Sequence, residues 1–198
     1  MKNFKNNILL LLIFVSLLSF VNIDLEKKVV GKVNILVPTD FYKMDDNDIV
    51  VKYGMTELPK ALYTNRENDI LLSVRQKDDT LNYTGKGKYK KFKVENNTNI
   101  EIEKSFRKAS IQSEFLNTRY FTDTTYSDGK TSFIKLEFTG TLTGENNKGE
   151  EISSQNYNYI VYAFQKKRNF IINFSCPEAE KEAWKPIANK IMNDLEFK

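Results

Sequence analysis

Three stretches in the second half of the chain decide its fold: SFIKLEFT (residues 132–139), YNYIVYAF (157–164) and FIINF (170–174). In the first, apolar side chains alternate with polar ones from Ile134 to Phe138, which is the period-two pattern of a β-strand. The second is apolar on both faces, as is typical of a central strand covered on both sides. These stretches therefore predict the core of a β-sheet.

Turn signals separate the strands. Ser127-Asp128-Gly129-Lys130 contains the Asp-Gly pair of a tight hairpin, a looser turn falls at Gly144 to Gly149, and another at Lys166 to Asn169. The region from Tyr120 to Ser175 is thus predicted to be an antiparallel meander of four strands.

The first half of the chain predicts three further strands and a short helix. Alternating apolar residues favour a strand over 32–37, which stops at Pro38. Two more strands are predicted over 61–64 and 70–77, separated by a polar turn over 65–69. The helix is predicted over 46–53, after a cluster of capping residues and before Gly54.

A long helix is predicted to begin at Thr98, because Thr98-Asn99-Ile100-Glu101 has the spacing of a capping box. One stripe of this helix is expected to pack on the sheet. Its members are Ile102, Phe106, Ala109, Ser113 and Leu116.

A second long helix is predicted at the end of the chain, with a kink or a helix start near Pro186. Its expected buried stripe is Trp184, Ile187, Ala188, Ile191 and Leu195. Helices before and after an antiparallel meander predict an α+β fold, an α/β/α sandwich with helices packed on a mainly antiparallel sheet.

The N-terminal segment resembles a secretory signal. Lys2 and Lys5 precede an apolar run that extends from Ile8 to Val21. This run reaches roughly 21 Å as a helix, less than a bilayer core of about 30 Å. We predict that residues 1–21 are a signal segment, with retention as a short anchor left as an alternative.

The expected organisation is a linker over residues 22–31 and a single sandwich domain over residues 32–198, because we find no internal repeat. The predicted location is outside the cytoplasm: periplasm, cell envelope or extracellular space.

Composition excludes several chemistries. The 198-residue chain has no histidine, so Ser-His-Asp and Cys-His mechanisms and His-containing zinc sites are excluded. One cysteine cannot form an internal disulfide. The formal charge of +4 falls to +2 without Lys2 and Lys5, which argues against a nucleic-acid partner.

The order of elements and the apolar pattern resemble the PsbP-like superfamily. The residues that carry the likeness are Val33-Asn34-Ile35-Leu36-Val37-Pro38, Tyr157, Tyr159, Tyr162, Phe164, Ile171-Ile172-Asn173-Phe174, Trp184, Ile191 and Leu195. This superfamily includes a photosystem extrinsic subunit, DcrB-type bacterial envelope proteins and a Ran-binding import factor. The resemblance implies an α/β/α sandwich and a mostly non-catalytic role in binding or assembly. It carries over no functional residue. This chain also lacks the lipidated cysteine that is frequent near the start of the envelope proteins.

The densest basic stretch is the candidate partner-binding patch. It consists of Lys86, Lys88, Tyr89, Lys90, Lys91 and Lys93. Lysines interleaved with aromatics would suit anionic lipid, a polyanionic envelope polymer or an acidic protein. The alternative is a solvated hairpin or loop.

Other conspicuous residues have structural interpretations. Asp45, Asp46 and Asp48 are expected to stabilise a helix start, because a calcium loop would need glycine and glutamate at fixed positions that are missing here. Cys176 is expected to be a small buried hydrophobe rather than a reactive thiol.

The aromatic residues of the meander and the last helix have two interpretations. Tyr157, Tyr159, Tyr162 and Trp184 are expected to be core, with a ligand cleft as the alternative.

We therefore predict a non-enzymatic binding or assembly module with no cofactor, metal or catalytic residue. Its partner would be a protein or an anionic envelope component, and it would contact membrane only through a retained N-terminal segment. The alternatives are a carrier of a small apolar ligand in a helix–sheet cleft and a His-independent hydrolase. An aromatic-lined cavity would favour the carrier, and paired carboxylates with opposed pKa shifts would favour the hydrolase.

Overall fold

A computed structural model describes residues 23–55, 57–67, 69–78, 97–145, 151–165 and 168–198. Within these ranges there are ten strands and three α-helices. The strands are β1 (Leu25–Val30), β2 (Val33–Pro38), β3 (Tyr42–Lys43), β4 (Ala61–Thr64), β5 (Leu71–Asp78), β6 (Phe115–Ser127), β7 (Ser132–Glu145), β8 (Glu151–Gln165), β9 (Arg168–Pro177) and β10 (Glu196–Phe197). The helices are α1 (Asp46–Tyr53), α2 (Asn97–Glu114) and α3 (Lys181–Asn193), with a 3₁₀ turn, Glu178–Glu180, before α3.

The strands form two antiparallel sheets. The larger has the order β3-β4-β5-β9-β8-β7-β6, and the smaller has the order β1-β2-β10. The predicted four-stranded meander is confirmed as β6 to β9, which are neighbours in chain order within one continuous sheet. The predicted fold class, an α+β sandwich with a mainly antiparallel sheet, is confirmed as well.

Both faces of the large sheet are covered, which explains the apolar pattern of β8. Tyr157, Tyr159 and Val161 face a core shared with α3 and the small sheet. Ile160 and Tyr162 point to the opposite side, where they pack below α2. A third and smaller group of buried apolar side chains, which includes Ile49 and Leu62, packs α1 over β4. The result is three layers: α1 and α2, the large sheet, and α3 with the small sheet.

The predicted Asp-Gly hairpin joins β6 to β7. Gly129 adopts a φ of 87°, a left-handed conformation that glycine enters without a steric penalty. The Asp128 carboxylate accepts hydrogen bonds from the backbone N–H groups of Lys130 (2.8 Å) and Thr131 (2.7 Å). These bonds hold the turn and set the register of the two strands.

Helix α1 begins and ends where the sequence predicts. The Asp45 side chain caps its N-terminus by accepting from the backbone N–H of Asp48 at 2.9 Å. Gly54, with a φ of 60°, closes it. Helix α3 also forms, but it begins at Lys181, so Pro186 lies inside it rather than at its start.

The N-terminal boundary differs from the prediction. Residues 25–30, assigned above to a linker, form β1, which pairs with β2 along its whole length. Strand β10, which was not predicted, adds to the other edge of β2. Strand β1 is mixed in composition and forms a hairpin with β2, whereas β10 is two residues long and becomes a strand by pairing with a segment far away in the sequence.

A close backbone approach explains Gly140. Phe115, the first residue of β6, crosses over this glycine, and a Cβ at position 140 would lie 2.9 Å from the Cβ of Phe115. The Phe115 ring packs edge-on against Phe138 with ring centres 5.4 Å apart. This contact closes the sheet beneath the end of α2.

Candidate functional site

The basic patch predicted from the sequence lies outside the described residues. Its members are Lys86, Lys88, Tyr89, Lys90, Lys91 and Lys93, and the patch stays a prediction.

Helix α2 packs on the sheet with a different face from the one predicted. Its buried apolar residues are Ile100 and Ile111. Four members of the predicted stripe point outward instead: Ile102 is 48% exposed, Phe106 is 67% exposed, and Ala109 and Ser113 are exposed too. The fifth, Leu116, lies beyond the end of the helix, in β6, and is also exposed. The prediction that this stripe packs on the sheet is wrong.

Ion pairs hold the helix in this orientation. Lys104 lies 3.2 Å from Asp123 on β6, and Lys108 forms a second ion pair with the same carboxylate. Burial raises the pKa of Asp123, but the hydrogen bonds from Lys108 and Lys104 outweigh it, so the net pKa is lowered. Asp123 is thus held as an anion between two cations.

Aromatic rings and hydrogen bonds complete the inner face of α2. The Arg107 guanidinium lies 5.0 Å from the centre of the Tyr162 ring, and the Lys108 ammonium lies 4.5 Å from that of Tyr120. These are cation–π distances. Arg107 also pairs with Glu103 at 2.6 Å. The aliphatic stems of such residues cover apolar surface while their charges reach a partner, so a charged face can pack on a sheet.

Every lysine and arginine of α2 forms an ion pair. The helix contains three such residues, Lys104, Arg107 and Lys108. The outer face of α2, defined here as Ile102, Phe106, Ala109 and Ser113, therefore presents apolar and small side chains without a cation. Sequence periodicity identified these residues as one face but not the direction in which it points.

A buried carboxylate lies on the other side of the sheet. Glu137 on β7 accepts hydrogen bonds from Lys185 of α3 (2.8 Å), Thr122 of β6 (2.7 Å) and Tyr157 of β8 (3.2 Å). Burial raises the pKa of Glu137, but these donors reverse the effect, and the net pKa is below its ordinary value. Burial is also the first cause of a strongly raised pKa for Tyr157. The arrangement joins three strands and a helix, and no local sequence pattern marks Glu137 for this role.

Asp45 and Asp48 have opposed pKa shifts, the pattern named above for a hydrolase. The backbone N–H of Asp48 lowers the pKa of Asp45, and the charge of Asp45 raises the pKa of Asp48. Both lie at the surface, and Asp45 lines an open hollow of about 590 Å³. Because the Asp45 carboxylate caps α1, the predicted role at a helix start accounts for the pair.

The aromatic residues proposed for a cleft are core residues. Tyr157, Tyr159 and Tyr162 are buried, as is Trp184, whose ring packs 5.6 Å from that of Phe41. A second hollow, of about 400 Å³, is lined instead by Lys27, Leu36, Asn193, Asp194, Leu195 and Glu196. The predicted core role of the four aromatics is confirmed.

Cys176 is also buried, as predicted, and burial raises the pKa of its thiol to about 12. Within the described ranges, no helix is both long and apolar enough to cross a membrane. The same residues contain no group of three or more His, Cys, Asp or Glu side chains arranged to hold a metal ion.

Comparison with solved structures identifies the fold. The chain is similar to cyanobacterial PsbP (CyanoP) from Synechocystis sp. PCC 6803, with a TM-score of 0.55 and 12% identity over 88% of this chain and 92% of that one. Lower similarity is found to the Ran-binding protein Mog1p of Saccharomyces cerevisiae (TM-score 0.49, 10% identity, 89% and 96% coverage). The LpqN protein of Mycobacterium tuberculosis, described as involved in cell envelope biogenesis, gives a TM-score of 0.46 at 12% identity with 88% and 90% coverage.

The sequence itself matches no family profile and no curated protein significantly. The predicted resemblance to the PsbP-like superfamily is confirmed at the level of the fold.

Proposed function

We propose that this chain is an exported, non-enzymatic binding or assembly protein that holds a partner protein on the outer face of α2. The observation that carries the proposal is the inverted packing of this helix. Its three cations, Lys104, Arg107 and Lys108, contact the sheet, and Ile102 and Phe106 are left in solvent on adjacent turns. An aromatic and a β-branched side chain four residues apart are the anchors that a helix presents to a groove.

The charges of α2 favour a protein over a lipid surface as the partner. A helix that lies on a membrane flanks its apolar face with lysine and arginine, which contact anionic headgroups. Here Lys104, Arg107 and Lys108 are committed to carboxylates of α2 and β6. The outer face can gain from apolar contact but offers no cation to a headgroup.

Two further features support the non-enzymatic and exported parts of the proposal. The sequence has no histidine, and donors from three elements occupy the buried carboxylate of Glu137. A base held in this way has a lowered pKa, far from the neutral range that suits a general base. Export rests on the pattern of residues 1–21. The basic patch from Lys86 to Lys93 is proposed as an additional contact for an acidic partner.

Site-directed photo-cross-linking tests the proposal. A benzophenone amino acid at Ala109, on the outer face, should give an adduct with one protein in the cells that make this chain. The double substitution Ile102→Ser and Phe106→Ser should reduce the adduct at least about tenfold, because anchor residues carry about 1–2 kcal/mol each.

The matched control is Val51→Ser on α1, where the valine is 86% exposed and lies outside the proposed surface. This control should leave the adduct unchanged, and all variants should keep the melting temperature of the parent. An adduct of equal yield in the double variant, or no specific adduct at position 109, would contradict the proposal. The intact mass of the recovered protein also tests whether residues 1–21 are removed.

A further inference from the structure

A row of cations follows strand β6 on the side of the sheet that faces α3. Strand β6 departs from regular pairing twice, between Leu116 and Arg119 and between Tyr120 and Thr122. Asn117, inside the first irregularity, has a φ of 53°. Such bulges redirect side chains, and here Phe121 lies against α3.

Three cations surround the Phe121 ring. The ammonium groups of Lys181 and Lys185 lie 4.2 Å and 5.2 Å from the ring centre, and the Arg119 guanidinium lies at 5.5 Å. Buried Glu137 positions Lys185. These contacts hold three positive charges around one half-buried aromatic side chain.

A fourth cation extends the row along the strand. Lys135 on β7 donates to Asn193 of α3 at 2.8 Å and lies 5.2 Å from the centre of the Tyr126 ring. Burial lowers the pKa of Lys135. From Arg119 to Tyr126 the row covers seven residue steps of β6, which is roughly 23 Å in an extended chain.

The row has an excess of positive charge. Among the described residues, two of these four cations form ion pairs. Lys185 pairs with buried Glu137, and Lys181 lies 3.3 Å from Glu182, whose side chain is 87% exposed. Arg119 and Lys135 have no ion pair in that part of the chain. An anionic ligand would therefore meet cations that internal pairing has not neutralised.

Strand β6 is also an edge of the large sheet. In the described part of the chain, no strand pairs with its outer side. An extended polypeptide can add to such an edge through main-chain hydrogen bonds, whereas a lipid surface or a polysaccharide cannot. A linear row of cations beside an open strand thus favours a peptide over other polyanions.

We propose that the outer edge of β6 and the row formed by Arg119, Lys135, Lys181 and Lys185 bind an extended acidic segment of a partner protein. Carboxylates at every second position of the segment would lie on one face of an added strand and meet the row. The site lies on the opposite side of the sheet from the outer face of α2, so it is independent of the function proposed above.

Fluorescence anisotropy with a labelled nine-residue peptide of alternating Asp and Thr tests this site. The purified protein should bind the peptide, and Arg119→Gln with Lys181→Gln should weaken binding at least about tenfold. The control pair, Lys43→Gln with Lys60→Gln, removes two positive charges from exposed residues near the other edge of the sheet and should change affinity less than about twofold. Equal weakening by the two pairs would overturn the proposal.

Four further ligands separate strand addition from general attraction to anions. A peptide with Lys in place of Asp should not bind, and a peptide with Pro in place of Thr should lose binding because its prolines have no N–H to donate and do not fit a regularly paired strand. The proposal would be overturned by full binding of the proline peptide or by no binding of the Asp-Thr peptide. It would also be overturned if dextran sulfate or phosphatidylglycerol vesicles bound more strongly than the Asp-Thr peptide. Ile102→Ser with Phe106→Ser should leave peptide affinity unchanged, so the two proposals can fail separately.

Discussion

Cys176 shows at the residue scale how burial decides what a reactive group can do. Its thiol lies in the core beside β8, directly opposite Tyr157 in the strand register. Because only the thiolate is nucleophilic, a pKa of about 12 leaves almost none of the reactive form at neutral pH. Its place between Phe174 and Pro177 in the sequence had already favoured this interpretation.

We predict that Cys176 does not react with iodoacetamide in the folded protein. At pH 8, alkylation measured by intact mass should be at least about 100-fold slower than in 6 M guanidinium chloride, because reaction requires both exposure and ionisation. Rapid stoichiometric labelling of the folded protein would contradict the burial of this thiol.

Helix α2 shows at the element scale that shared periodicity does not decide which face is inward. Both of its faces repeat with helical spacing: one carries Ile102 and Phe106, and the other carries Lys104 and Lys108. The second packs inward because the sheet beneath it presents an anion and aromatic rings, which pair with cations better than with isoleucine. The apolar face is then available to a partner.

We predict that Asp123→Asn loosens α2 without unfolding the sheet. The substitution removes the carboxylate shared by Lys104 and Lys108. Loss of these partly exposed pairs should cost about 1 kcal/mol and speed amide hydrogen exchange in α2 roughly fivefold, as measured by mass spectrometry.

The matched control for this experiment is Asp40→Asn, which makes the same charge change at an exposed residue. Exchange in β8 and β9 should stay unchanged in both variants. An α2 that exchanges at the parent rate in Asp123→Asn would show that these ion pairs do not hold the helix.

At the scale of the whole molecule, Glu137 joins the layers. Its carboxylate connects β7 to Thr122 on β6, to Tyr157 on β8 and to Lys185 on α3. Because its folded-state pKa is lowered, Glu137 adds stability that is fully present above its ordinary pKa of 4.5 and is lost as the pH falls through the folded value. Below that pH the protonated group no longer attracts Lys185.

We predict that Glu137→Gln lowers the free energy of unfolding by about 2 kcal/mol at pH 7, since a buried hydrogen-bonded charge is lost. Urea titrations should show that the difference from the parent shrinks as the pH falls from 5 to 3. Exposed Glu151→Gln is the control and should follow the parent at every pH. A constant difference across this range would mean that the charge of Glu137 does not contribute.

The sequence alone predicted the parts of the fold that local signals control. Asp128 and Gly129 define a turn within four residues, and Asp45 and Gly54 define the ends of α1 through contacts with their own neighbours. Alternation along β7 and β9, and the continuous apolar run of β8, placed each of these strands and its buried faces. Such features need no information from distant parts of the chain.

Only the tertiary structure decided the features that depend on distant partners. The outward direction of Phe106 depends on Asp123, Tyr120 and Tyr162, which no helical pattern contains. The strand state of β10 depends on pairing with β2, and the burial of Glu137 depends on Lys185. Local chemistry therefore determined the elements of this protein, whereas contacts between distant residues determined which of its surfaces are left for a partner.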